Sequence, residues 1–240
     1  PRRTRPPLRR GPPARGGGGR AGGAIPSAPA RRRRIVEVTV AAAAGRVPVV
    51  AGVLDPGLGG ALESGRAYRE AGADGLMVIP PYYARPDQEG TLRYFRALAP
   101  ELKLPIVFYD NPYRTNMVTT PATIAQLEQE VLIVGMKASS TDLYHFAQLA
   151  PLVSDRFCLL SGQDTLFVEQ VMLGARGGGL TSAALLPGYW DPVQKEAAPG
   201  RGKEGLALEA LLAPPVGAPF ARPVPQAGWV GSSPVAPAVR

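Results

Sequence analysis

The sequence predicts an α/β protein of the (β/α)8 barrel type, incomplete, with about six of the eight strand–helix units recognisable. Three observations carry this. Six apolar runs recur along the chain, at 47–53, 75–81, 105–111, 131–137, 157–162 and 178–184. Their starts are separated by roughly 20 to 30 residues, the length of one strand-plus-helix unit. The runs are continuously apolar rather than alternating, as parallel strands covered on both faces require. No run is followed by a G-x-G-x-x-G turn, which argues against a dinucleotide-binding sheet.

Between the runs lie helical patterns: "GALESGRAYREAGA", "GTLRYFRALAPEL", "PATIAQLEQE", "TDLYHFAQLAPLV" and "QDTLFVEQVMLGA". An Ala-rich helix, "IVEVTVAAAAG", precedes the first run and stops at Gly45. Residues 35–190 are therefore read as the barrel. Residues 1–34 form a low-complexity Arg/Gly/Pro segment, expected to be disordered because it has almost nothing to bury. Residues 191–240 are read as irregular, with one candidate helix at "KEGLALEALLAP".

Composition bounds the function. The net charge is +8, yet residues 1–34 hold 11 Arg and no acid. Of 27 basic groups, 16 remain for residues 35–240 against 19 acidic ones, a net of −3. Nucleic acid is therefore not an expected partner of the barrel. A weak RNA contact by the Arg/Gly segment is the minor alternative. The single cysteine, Cys158, permits no intrachain disulfide. No apolar run of 18 residues and no signal-peptide core is seen, so a cytoplasmic protein without membrane contact is expected.

Barrel chemistry sits at the C-terminal ends of the strands. There the chain places Tyr82 and Tyr83, then Tyr109, Asp110, Asn111 and Arg114, then Lys137. Lysine is a poor strand residue and costly to bury alone, and "KASST" offers it no nearby acid. Removed from water, an amine is favoured in its neutral form, which attacks carbonyls to give a Schiff base. Tyr109 ends the preceding strand, and adjacent strands lie about 4.8 Å apart, so its phenol can pass protons to that centre. Arg114 is a suitable fork for a carboxylate. The implied substrate is a small 2-oxo acid. His145 and Cys158 are read as a helix-surface and a core residue, "GARGGG" as a tight turn, and no His, Cys or acidic cluster has metal-ligand spacing.

Four stretches in order, "PPYYARPDQEG", "FYDNPYRT", "IVGMKASSTD" and "LLSGQD", resemble the dihydrodipicolinate synthase/N-acetylneuraminate lyase family of class I aldolases. The resemblance covers roughly residues 34–190. It implies that Lys137 is the Schiff-base lysine, Tyr109 the proton-relay tyrosine and Arg114 the arginine for the second substrate's carboxylate. It implies that the Tyr82–Tyr83 pair reaches toward a neighbouring subunit's site in a homo-oligomer, a dimer or tetramer. It further implies small-molecule substrates, a 2-oxo acid and an aldehyde, and no cofactor. Departures are Ala138 at a commonly acidic position, Ala184 at a common Asn, "YDNP" for the commoner "YNVP", and no match to the family's first two strands or its pyruvate-carboxylate loop. Two functions follow as expectations: a carbon–carbon lyase of this type, or an inactive aldolase-derived structural or interaction protein.

Overall fold

The computed structural model describes residues 15–17, 28–184, 188–197 and 202–210. Its framework is one parallel sheet in strict chain order: β1 (Arg15–Gly17), β2 (Val49–Val53), β3 (Gly75–Val78), β4 (Ile106–Asp110), β5 (Gly135–Ala138) and β6 (Cys158–Ser161). Sequential order with no reversal belongs to a barrel wall, since a doubly wound sheet reverses at its switch point. Helices α1 (Pro29–Ala43), α2 (Leu58–Glu70), α3 (Gln88–Leu102), the one-turn α4 (Pro112–Thr115), α5 (Pro121–Gln129), α6 (Leu143–Leu149), α7 (Phe167–Met172) and α8 (Trp190–Glu196) fill the connections.

Three of the helices start where an N-cap side chain satisfies a free N–H group. Asp87 accepts from Gly90 N at 2.7 Å for α3 and Asp142 from His145 N at 2.9 Å for α6. Thr120 accepts from Thr123 N at 3.2 Å for α5, with Pro121 at its first turn. No helix among the described residues is long and apolar enough to cross a membrane.

Strand alternation sorts the side chains into two layers. On the helix side, register aligns Val53, Val78, Phe108, Met136 and Leu159 in one row across β2 to β6. That row packs with Ala61, Tyr68, Leu92, Phe95, Ile124, Leu127 and Phe146 of the helices into the main core. Phe108 and Phe95 meet with ring centroids 5.1 Å apart. On the other face, one register step on, stand Tyr109, Lys137 and Leu160.

Four expectations are corrected. First, order begins before residue 34: α1 starts at Pro29, and Arg15–Gly17 pairs in parallel with Val49–Ala51. Strand pairing uses backbone groups alone, so an Arg/Gly segment supplies it without apolar side chains. Residues 1–14 and 18–27 lie outside the described residues. Second, the run 131–137 is a strand only from Gly135; the α5 end turns through Val131, which is 80% exposed. Third, 178–184 is not a strand: Gly178 makes a single bridge to Ser161, and Ser182–Ala184 is a 3-10 turn. Fourth, the C-terminal region is partly regular, with α8 and a helix, α9, at 202–210. Glu209 on α9 accepts from Phe167 N at 2.9 Å and Val168 N at 3.2 Å, capping α7. Residues 211–240 lie outside the described residues.

One acid interrupts the apolar layer. Asp110, aligned with Ala138 on the helix side, is 4% exposed. Burial raises its carboxyl from an ordinary 3.8 to about 7.

Two outcomes are expected. Phe108→Ala empties the centre of the helix-side layer and should lower unfolding stability in urea by about 3–5 kcal/mol. The folded protein holds the Asp110 proton up to about pH 7, whereas the unfolded chain releases it near pH 4 (roughly 3.9). The native state then binds more protons across that window, so stability falls as pH rises through it. Asp110→Asn should flatten that slope; an unchanged slope in urea titrations from pH 4 to 8 would contradict the assignment.

Candidate active site

The site is built on β4 and β5. Parallel register sets Tyr109 directly opposite Lys137. The lysine is half-buried and its Nζ stands 4.7 Å from the centroid of the Tyr109 ring. The contact keeps the amine against the aromatic face of a residue that carries a phenol. Tyr109 is itself buried among Leu54 and Ile79, with Met77 and Tyr82 against them. Its hydroxyl accepts a hydrogen bond from Asn111 Nδ2 at 2.9 Å. That bond fixes the phenol oxygen and leaves its O–H free to point elsewhere.

Glycines make the other wall. A Cβ on Gly179 would lie 3.2 Å from Lys137 Cδ and Cε, and one on Gly162 would come within 2.9 Å of Cε and strike Ser139 Oγ. The lysine stem thus lies between an aromatic face and bare backbone. Gly162 follows β6 and donates its N–H to Ala138 O at 2.6 Å, which locks this approach.

The remaining expected residues divide. Tyr82 belongs to the site's support: its hydroxyl donates to Leu54 O at 3.2 Å and its ring packs beside Tyr109. Tyr83 is 89% exposed and does not join it within one chain. Arg114 sits exposed on α4, the turn that follows β4, with no ion pair among the described residues. That turn is anchored beneath it by buried Thr115, whose Oγ1 donates to Asn111 O at 3.2 Å or Met117 O at 3.1 Å. Tyr113, on the same turn, hydrogen-bonds Thr141 in the loop after β5. This tie couples the turn carrying Arg114 to the strand carrying Lys137.

His145 bonds Thr119 O at 2.8 Å through Nε2, so it fastens α6 to the loop between α4 and α5. Cys158 is half-buried rather than a full core residue, and burial raises its thiol. Three participants carry signals that composition does not reveal. Asn111 stands two residues beyond Tyr109, and Gly162 and Gly179 contribute by lacking a side chain.

An amine, a phenol beside it and a free guanidinium on the rim can attack a ketone, move protons and hold a carboxylate. The model of the dihydrodipicolinate synthetase family matches residues 18–227. A 4-hydroxy-tetrahydrodipicolinate synthase of Methanospirillum hungatei is 38% identical over 154 residues, 64% of this chain and 53% of that protein. The matched stretch thus spans about half the length of that curated relative. The crystal structure of dihydrodipicolinate synthase from Aquifex aeolicus superposes with a TM-score of 0.84 at 27% identity, covering 88% of this chain and 73% of that one. The chloride-inhibited enzyme from Acinetobacter baumannii, crystallised with pyruvate, gives 0.85 at 25% identity, covering 89% and 74%. The chain belongs to the dihydrodipicolinate synthetase family.

Proposed function

We propose that this chain is a class I aldolase-type carbon–carbon lyase, resembling 4-hydroxy-tetrahydrodipicolinate synthase, that joins or separates pyruvate or a similar 2-oxo acid and an aldehyde. The observation that carries this reading is the Lys137 amine 4.7 Å over the Tyr109 ring. The Lys137 nitrogen adds to the ketone carbon, and the ketone oxygen takes a proton to give a carbinolamine. Loss of that oxygen as water leaves an iminium. Removal of a proton from the adjacent carbon gives an enamine, whose carbon bonds to the aldehyde carbon while the aldehyde oxygen is protonated. Water then cleaves the C=N bond, releasing product and the free lysine. Tyr109, held by Asn111, carries protons to and from these oxygens and the carbon. Arg114 binds the carboxylate of the second substrate, a role its fork suits better than an ammonium would.

Tyr83, exposed in one chain, is assigned to a neighbouring subunit's site in a homo-oligomer. Tyr82 supports Tyr109. The solved relative carrying pyruvate supports pyruvate as the first substrate.

A second reading has its own observation. Among the described residues, β1 and β6 pair with no further strand beyond the single Ser161–Gly178 bridge. A sheet left open at such edges recruits partners, which suits an aldolase-derived interaction protein without turnover.

Exchange of the pyruvate methyl protons in D2O, followed by proton NMR, separates the two. The lyase reading requires exchange that Lys137→Ala abolishes and that Tyr109→Phe slows on the order of 10²-fold or more. Folded protein without exchange favours the interaction reading. Arg114→Ala should leave exchange intact while weakening the use of a carboxylate-bearing aldehyde, and Arg114→Lys should restore little of it; equal loss in both assays would contradict a role for Arg114 in the second substrate alone.

A further inference from the structure

The motif "LLSGQD" ends on Asp164, which the mechanism above does not use. Asp164 is 1% exposed and, among the described residues, pairs with no cation. Its carboxylate instead grips the chain just beyond the glycine wall. It accepts from Thr181 N at 3.1 Å and from Ser182 N at 2.7 Å, and Ser182 Oγ donates to it as well. Trp190 Nε1 donates to Ser182 Oγ at 3.1 Å, so the grip extends to α8.

The gripped segment begins at Gly177. Ser161 N donates to Gly177 O at 2.9 Å and Gly179 N donates to Ser161 O at 2.7 Å. Gly179, the second of these fastenings, is also the residue whose missing Cβ leaves room for the Lys137 stem. Three consecutive glycines, Gly177 to Gly179, have no side chains with which to hold a position of their own. What fixes the wall is β6 at one end and a buried carboxylate at the other. Charge-assisted bonds to backbone N–H groups are well suited to that task.

We infer that Asp164 is a positioning residue: through Thr181, Ser182 and Trp190 it presses the Gly177–Ser182 segment against Lys137 and so holds the amine over Tyr109. Its reach is to the wall, not to a substrate. A lysine stem has four rotatable bonds, and confining it on two sides keeps the nitrogen in line for attack. This inference rests on the reading of Lys137 as the reactive amine for its effect on turnover, but not for its effect on the amine's confinement.

Two readouts test it in the full chain. The first is labelling of Lys137 by formaldehyde with cyanoborohydride, its rate read by peptide mass. The second is pyruvate proton exchange. Asp164→Asn replaces an acceptor by a donor that faces N–H groups, so the wall should retreat. Labelling of Lys137 is expected to rise severalfold while maximal exchange falls on the order of tenfold. Ser182→Ala removes one of the three bonds to Asp164 together with the Trp190 link, leaves both backbone N–H bonds, and should move both readouts the same way by less. Gly179→Ala should do the opposite to labelling, crowding the stem and slowing it. A folded Asp164→Asn protein with unchanged labelling overturns the inference. If that variant fails to fold, Ser182→Ala decides, and unchanged labelling there overturns it. Absence of exchange in the parent chain sinks the lyase reading alone, because the labelling rates still report on Asp164.

Discussion

The register between β4 and β5 is the constraint on which the site depends. A shift of one residue in that pairing would turn Tyr109 toward the helices and leave Lys137 opposite Asp110 or Phe108 instead. The register is held by the helix-side row, where Phe108 and Met136 must stay together in the core with Val78 and Leu159. Packing on one face of the sheet thus sets chemistry on the other. Tyr109 and Lys137 need no ion pair to meet; they are brought together by hydrophobic burial acting one residue away.

That division also explains what could be read from the sequence. Strands β2, β3, β4 and β6 are continuous apolar runs, because both faces are covered, and such runs are visible without any structure. Lys137 was conspicuous for the converse reason, as a charged residue in an apolar run. The stretch 131–134 misled because Val131, Leu132 and Val134 are apolar yet serve the turn out of α5, and Val131 is solvent-exposed. The stretch 178–184 misleads because two glycines and a Thr-Ser pair imitate a strand opening while their hydrogen bonds go to Ser161 and Asp164. β1 was hidden because backbone pairing leaves no mark in an Arg/Gly composition.

The site was legible in part. Lys137 and Tyr109 could be paired by strand order alone, whereas Asn111 acts through a bond two residues away in a turn, and Gly162 and Gly179 act through what they lack. Tyr83 and Arg114 stand at the rim with their side chains exposed, which a role toward a second chain or a second substrate would use. The buried acids Asp110 and Asp164 illustrate two fates of a carboxyl in such a core. Burial raises the proton affinity of Asp110, whose side chain has no hydrogen-bond partner among the described residues, while Asp164 is surrounded by donors and organises the wall beside the amine.

Reduction with borohydride in the presence of pyruvate, followed by peptide mass mapping, tests the central claim most directly. The account requires a stable adduct on Lys137, heavier by one pyruvate less one water plus two hydrogens, and none on Lys103 or Lys195. A folded chain that gains no such mass, or gains it on a different lysine, would contradict it.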